Sequence, residues 1–492
     1  MIRLSLFLLP LFQAWENLSI TRAYTIKDAL IHERITITAK HSSPRPQDTY
    51  IFTAPLNERV GHIHATYSGT PLHTTEVDLG EYTLKFPAPV SKDETRKFEV
   101  YLILGHALKA VPAKTQILEP NAVEFAFSLV PNSHYPTRAQ EISVSGFGQL
   151  LSYAPSFFTV HGNFLSAKIV ESEISSQQIS GVVHFMHGSN LNFVASAVRE
   201  VHVSHFGGIS ISDHFEVKNE AAKLHGEFSR IPFSVRDQMG DKSPFKVDGY
   251  AETLGAIFSK HAYNIHYYDV IGNISTSVAK RAASERYISA ELGPRFPLLG
   301  GWRTEFSLSH VLPTKKAVGY EGEKFTLTFP FNHPLVKYFT DSLEFEVLLP
   351  EGAYDVEISA PRKISQDKIT YRRDWLDTPL VGGHTVLRFR ATSPFLIPEK
   401  EALNYKLTIS YRLSFFAHVR PALLLVFYAL VAFASLGLIA RLTTGEPLPD
   451  SSPATPSGGT PTAAVSRGSS SALGSPGFVV IQPQAAGLKK RK

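Results

Sequence analysis

The chain is expected to be mainly β, with two related antiparallel β-sandwich-like domains followed by one transmembrane helix and a disordered tail. Three observations carry this expectation: two-residue alternation of apolar and polar side chains, a faint internal duplication of that pattern, and one uninterrupted apolar run near the C-terminus. A side chain repeats its direction every two residues in a strand, so alternation marks a sheet with one buried face. Helical periodicity is scarce outside the two terminal apolar segments.

At the N-terminus, MIRLSLFLLPLFQAW places Arg3 before an apolar run from Leu4 to Ala14. That is the layout of a secretory leader, and it is too short to span a bilayer. Thr21-Arg22-Ala23 puts small residues at the last and third-last positions of such a leader. Cleavage after Ala23 is therefore expected, with residues 1–23 as signal peptide. It would remove the sequon Asn17-Leu18-Ser19 and leave Asn273-Ile274-Ser275 as the candidate for an N-linked glycan.

Strand alternation follows in KFEVYLIL (Phe98, Val100, Leu102), KFTLTFPF (Phe325, Leu327, Phe329), SLEFEVLLPEG (Leu343, Phe345, Val347, Leu349) and YKLTISYRLSF (Tyr405 to Leu413). Turn signals such as His161-Gly162-Asn163, Pro350-Glu351-Gly352 and Val381-Gly382-Gly383 separate such runs. FEVYLILGHALKAV then VEFAFSLVPNSHYPTRAQEISVSG parallels TEFSLSHVLPTKKAV then FTLTFPFNHPLVKYFTDSLEFEVLLPEG. ITITAKH near Ile35 corresponds to VHVSHFGGISISDHFEV near Val201. The expected domains are residues 24–170 and 171–419, the boundary lying between Tyr153 and Gly181. With no cysteine in 492 residues, these domains must be held by apolar burial and backbone hydrogen bonds.

PALLLVFYALVAFASLGLIA, Pro421 to Ala440, carries no charge in twenty residues and is flanked by Arg420 and Arg441. At about 1.5 Å per residue it reaches roughly 30 Å, the hydrocarbon thickness of a bilayer. Residues 420–441 are expected to be the span, and 442–492, rich in Pro, Ser, Gly, Thr and Ala, a disordered cytosolic tail. With a cleaved leader the bulk of the chain is luminal. The tail ends in Lys489-Lys490-Arg491-Lys492, and lysines at the third- and fourth-last positions fit retrieval to the endoplasmic reticulum. From Arg441 the tail holds six Lys/Arg against two Asp/Glu, a net +4 out of the chain's +5. A surplus of +1 elsewhere indicates no nucleic-acid groove.

Catalytic signatures are missing: no G-x-S-x-G elbow, no H-E-x-x-H, no G-x-x-x-x-G-K-[ST] and no D-x-D. Absence of Cys excludes thiol catalysis. His62 with His64, His184 with His187 and His202 with His205 could be imagined as metal ligands, but no convergent further ligands are visible, so they are read as structural or surface histidines. Neither a metal nor another cofactor is expected. PRFPLLGGWRT, from Pro294, is the most unusual stretch: Arg295, Trp302 and Arg303 make it either a domain-joining loop with a packing anchor or a partner-docking surface.

HYYDVIGNISTS, GPRFPLLGGWRT and DSLEFEVLLPEGAYDVEISAP, with SHYPTRAQ at Ser133 and REVHVSHFGGISISDHFEVKNEAAKLHGEFSR from Arg199, are collinear with the ribophorin I family, which the chain resembles. The resemblance covers most of the region before the span and the span itself. It implies an accessory subunit of the oligosaccharyltransferase complex of the endoplasmic reticulum, whose active site lies in another, polytopic subunit. It further implies a role in assembly and in presenting nascent polypeptides, with the catalytic and other subunits as partners and the translocon as a neighbour it allows. An acceptor Asn stands at the place of Asn273, so Asn273 is expected to be modified. Animal members carry a long helical cytosolic domain, and the short tail here puts ribosome contacts through such a domain in doubt. A different class, a single-span receptor or cargo adaptor of the early secretory pathway, accounts for the leader, span and strands equally well. A luminal hydrolase would need an unrecognised site.

Overall fold

The computed structural model describes residues 14–54, 59–78, 80–116, 121–170, 180–228, 231, 249–281, 287–373, 383–391, 395–398 and 403–444. The first half comprises β1 (Trp15–Lys27), β2 (Leu30–His41), β3 (Gln47–Thr53), β4 (Arg59–Tyr67), β5 (His73–Asp78), β6 (Glu81–Val90), β7 (Thr95–Gly105), β8 (Leu108–Ala110), β9 (Ala122–Ser128), β10 (Ala139–Ser145), β11 (Leu150–Ala154), β12 (Phe164–Val170) and β13 (Ser180–Met186). The second comprises β14 (Asn192–Ser204), β15 (Gly208–Asn219), β16 (Leu254–Ser259), β17 (Tyr263–Asp269), β18 (Ser277–Lys280), β19 (Tyr287–Leu292), β20 (Arg303–Leu312), the single turn α1 (Thr314–Ala317), β21 (Val318–Glu321), β22 (Lys324–Pro330), β23 (Leu343–Glu351), β24 (Tyr354–Ser359), β25 (His384–Ala391) and β26 (Lys406–Arg412).

These two lists describe one topology used twice. The large sheet of the first half runs β12-β10-β1-β2-β7-β4, and that of the second runs β25-β23-β14-β15-β20-β17. Each strand has its counterpart thirteen places later. The smaller sheets repeat in the same way: β11-β13-β9-β8 matches β24-β26-β22-β21, and β3-β6-β5 matches β16-β19-β18. In both large sheets one neighbouring pair is parallel, β1 with β10 and β14 with β23, while the other pairs named are antiparallel. Each half closes its own core, around Trp15, Tyr24, Tyr50 and Phe98 in the first and Phe258, Phe329, Phe331 and Tyr411 in the second. The two-domain β architecture and the duplication expected from the alternation are thus present.

The repeat extends to a buried ion pair. Arg22 on β1 meets Glu33 on β2 at 2.8 Å and donates to the carbonyl of Ser128, the last residue of β9. Arg199 on β14 holds Asp213 on β15 at 2.6 and 2.9 Å and donates to the carbonyls of Pro330, the last residue of β22, and Asn332. All four charged side chains are at most 3% exposed. In each half the guanidinium ties the large sheet to the same place in the smaller one.

Two expected boundaries need correction. Cleavage after Ala23 would remove Trp15–Ala23, nine of the 13 residues of β1, which lies inside the large sheet between β2 and β10. Trp15 is fully buried and its indole donates to the carbonyl of Thr49, so the folded module begins no later than Trp15. The residues of the apolar run before Ala14 lie outside those described. The domain boundary near residue 170 is also too early. β13 pairs along its whole length with β9 of the first half, and the core changes only between Leu191 and Val194. C-terminal to β26, α2 (Phe415–Thr444) contains a 22-residue apolar stretch, Ala422–Thr443, with no part buried. It is long enough to cross a bilayer and begins two residues after the expected start at 420.

Candidate functional site

Asn273 sits on a short strand, Gly272–Asn273, that folds back on Tyr268 and Asp269 of β17. Alternation turns Asn273 and Ser275 outward and Ile274 inward, where its amide donates to the carbonyl of Tyr267. Tyr267 in turn packs its ring against Phe306 of β20. The turn between them is closed by Asp269, whose carboxylate accepts from the amides of Ile271 and Gly272 at 2.9 and 3.1 Å. Gly272 has φ 134°, a region that side chains avoid. Arg295 completes the arrangement. It forks onto both oxygens of Asp269 at 2.5 and 2.9 Å and donates to the carbonyl of Gly272 at 3.0 Å. That guanidinium, with the two turn amides assisting, holds the Asp269 carboxyl down at about 2. The Asn273 side chain is therefore exposed on a braced turn.

The other sequon behaves oppositely. Asn17 is fully buried on β1, donates its amide to Ser133 and Thr137, and accepts from the Tyr50 hydroxyl. A glycan on this fully buried side chain has no room and would displace its bonds to Ser133 and Thr137.

Of the residues expected to form one docking surface, Arg295 belongs to the Asn273 hairpin, and Trp302 and Arg303 lie elsewhere. The Gly300-Gly301 pair lets this segment pass against Ala221–Lys223: a Cβ on Gly300 would lie 2.0 Å from the Ala222 carbonyl oxygen. The passage is fastened by Asn219, 2% exposed, whose side chain accepts from the amides of Leu191 and Ala221 and donates to the carbonyls of Gly249 and Leu298. Trp302 packs edge-on to Phe296 at 5.8 Å and Phe228 at 5.6 Å. With Arg303 it lines a cleft of about 610 Å³ where the halves meet, together with Arg59, Lys109, Lys218 and Lys223. Among the described residues Glu220 is the only carboxylate in that lining.

Beneath the cleft is the joint between the halves. Phe339 of the second half occupies a notch over Gly61 and Gly105 of the first, where a Cβ on Gly105 would stand 2.2 Å from the ring. His106 stands beside it, edge-on to Phe193 and Phe339. Its two ring nitrogens meet Glu220 at 2.6 Å and Asp341 at 3.0 Å, and Arg59 also reaches Asp341 at 2.9 Å. Burial alone would lower the His106 pKa, but the bonds to Asp341 and Glu220 outweigh it and raise it to about 9. The imidazolium thus links the halves across a broad neutral range.

The histidine pairs take structural places. His62 is buried while His64 is exposed, although the two stand on one face of β4 opposite Ile103 and Tyr101. His184 bonds the carbonyl of Val111, and His205 meets the Tyr411 hydroxyl. Among the described residues no group of three potential metal ligands occurs. Lys489 and Lys490 lie outside the described residues. Sequence reasoning missed Asn219, His106 and the two buried arginine pairs, for reasons taken up below.

Fold and site together define a protein of two copies of one β module, locked at a joint, with one helix able to span a bilayer. The profile of the ribophorin I family matches residues 15–440, and the chain belongs to that family. It is 31% identical over 293 residues to dolichyl-diphosphooligosaccharide–protein glycosyltransferase subunit 1A of Arabidopsis thaliana, covering 59% of this chain and 46% of that one. It is 27% identical over 359 residues to subunit 1 of the same enzyme in Caenorhabditis elegans, covering 71% and 58%. Subunit 1B of Arabidopsis thaliana is 27% identical over 314 residues, covering 63% and 65%. The match spans from about half to nearly two thirds of these relatives' own lengths.

Proposed function

We propose that the protein is a non-catalytic subunit of an oligosaccharyltransferase in the endoplasmic reticulum membrane. In this reading it supports transfer of a preassembled oligosaccharide from dolichyl diphosphate to Asn of N-x-S/T in nascent polypeptides. The observation that carries the reading is family membership over residues 15–440, with relatives named as subunit 1 of that enzyme. The two β modules lie on the luminal side, α2 crosses once, and α2 packs against the catalytic subunit. Trp302 and Arg303, lining the cleft above the joint, hold acceptor chains near that subunit, and the translocon supplies the chains. Lys489 and Lys490 assist retrieval. Asn273, exposed on its braced hairpin, is itself a product of the reaction.

A mild-detergent pull-down with assay of glycan transfer to an N-x-T peptide tests this. Transfer is expected with the complex and none with the isolated chain. A preparation that lacks any catalytic transferase subunit, or an isolated chain that transfers glycan, would refute it.

A further inference from the structure

We propose that the outer face of the second large sheet is an oligosaccharide-binding groove whose occupant is the glycan carried by Asn273. The inference rests on the modification of Asn273 and is independent of assembly with a transferase.

The strand register draws the groove. Asn273 pairs with Tyr268 of β17, Tyr268 with Ser307 of β20, and Ser307 with His214 of β15. His214 pairs with Val198 of β14, Val198 with Glu344 of β23, and Glu344 with Arg390 of β25. Paired residues in neighbouring strands point to the same side of a sheet. The chain neighbours Tyr267, Phe306, Phe215, Ala197, Phe345 and Phe389 are buried in the core, so the row itself crosses the outer face. At about 4.8 Å per strand it runs roughly 29 Å from Asn273 to Arg390. Two depressions lie along it and share Val198: one of about 500 Å³ beside Tyr268, Val270 and Ser307, the other of about 390 Å³ beside Glu344, Glu346 and Arg390. The small side chains Ser196, Val198 and Ser307 account for the hollow at mid-sheet.

Asn273 stands at one end of this row with its side chain exposed, and Tyr268, directly opposite, has its Cβ about 5 Å away. A sugar linked to Asn273 therefore meets the half-buried Tyr268 first and the larger depression next. Tyrosine offers an apolar face with a polar tip, which suits the C–H face and the hydroxyl edge of a sugar ring. Beyond it His214 and Ser307 share a bond of 2.7 Å. The charged groups are already in pairs: Glu344 with Arg390, Glu346 with Arg388, Glu216 with Lys218, and Asp269 with Arg295. Each pair fixes its polar atoms, keeps spare lone pairs and N–H groups for hydroxyls, and cancels its own charge. That is chemistry for a neutral polyhydroxyl chain. A peptide strand, by contrast, docks through the backbone of an open sheet edge, whereas this surface is a sheet face that presents side chains. The tether does the rest: linkage at Asn273 holds the sugars at an effective concentration on the order of 1 mM, so a site of about 1 mM affinity is filled roughly half the time.

The absence of cysteine allows a direct test on the full chain. Ser307→Cys, Val198→Cys and, as control, Thr36→Cys on the outer face of β2 are made singly, with Asn273 intact or replaced by Gln, and alkylated in mild detergent. Val198 lies four strand intervals, roughly 19 Å, from Asn273. The glycan is expected to slow alkylation about twofold or more at 307 and 198 and to leave the rate at 36 unchanged. Adding Tyr268→Ala is expected to bring the rates with and without glycan together at both groove positions. Equal rates in the presence and absence of glycan overturn the proposal, as does slowing at 307 alone, which a sugar chain moving freely about its attachment point would produce. Slowing that survives Tyr268→Ala also overturns it. A gel band that does not move on glycan removal locates the failure at the modification of Asn273, whereas a band that moves with equal rates locates it at docking.

Discussion

Replacing Arg199 by Met tests how the second module is held. Arg199 is 2% exposed and Asp213 fully buried, and the guanidinium makes two bonds to that carboxylate and one each to the carbonyls of Pro330 and Asn332. Met fills much of the volume but leaves a buried charge alone, a loss of about 3–5 kcal/mol, with the two carbonyls adding roughly 1 kcal/mol. For a module of this size each kcal/mol lowers Tm by about 2–4 °C, so a fall of roughly 10–15 °C is expected. Far-UV circular dichroism of the detergent-solubilised chain measures it. Arg199→Met with Asp213→Leu removes both charges and should recover to within about 2 kcal/mol of the parent. Asp213 raises and Arg199 lowers the pKa values of neighbouring His310 and His333. Without Arg199 a histidine can take up a proton to partner Asp213, so the penalty of the single variant should shrink below about pH 6.5. A single variant as stable as the parent, or a double variant no better than the single, would refute the reasoning.

Burial lowers His310 to about 4 and His333 to about 3, so both are neutral in the fold at pH values where the unfolded chain protonates them. The share of stability due to these two is therefore full above about pH 6.5 and falls on acidification by about 1.4 kcal/mol per unit for each, roughly 4 kcal/mol in sum by pH 5, which urea unfolding of His310→Gln and His333→Gln against the parent at a series of pH values will show. Gly105→Ala drives a Cβ to within 2.2 Å of the Phe339 ring and should cost about 2–4 kcal/mol at the joint, with partial recovery in Gly105→Ala/Phe339→Leu; thermal scans compare the two. Asn273→Gln should abolish the gel shift on glycan removal and change stability by less than about 0.5 kcal/mol, while Arg295→Ala should raise protease sensitivity around residues 269–273.

The strands and their duplication were legible because most carry apolar residues inward and polar residues outward, as Phe98, Val100 and Leu102 do on β7. β1 defeats that reading: Asn17 and Arg22 are among its inward positions, so the run looked like the end of a leader. Arg199 and Asp213 were unreadable for the same reason, since a charged residue on a strand is normally taken for a solvent-facing one, and its partner is known only once β14 and β15 are in register. The eccentricity of the 294–304 segment was visible, but its glycines serve a close backbone passage over Ala222, which no local pattern encodes. His106 lies after the end of a plain alternating strand, and its two carboxylate partners come 114 and 235 residues later.

The parallel pairing at the middle of each large sheet imposes a schedule on synthesis. Ile20 of β1 waits for Gln140, 120 residues on, and Ala197 of β14 waits for Leu343, 146 residues on. At about 5–20 residues per second these intervals last roughly 6–30 s. For that time β1 and β14 each keep one edge unpaired, the outer edges of β2 and β15 stay open until β7 and β20 follow, and with no cysteine in the chain no disulfide can secure them. Each module thus spends its first seconds as an open half-sheet, and each offers a chaperone its strand edge once, in turn, as the chain emerges.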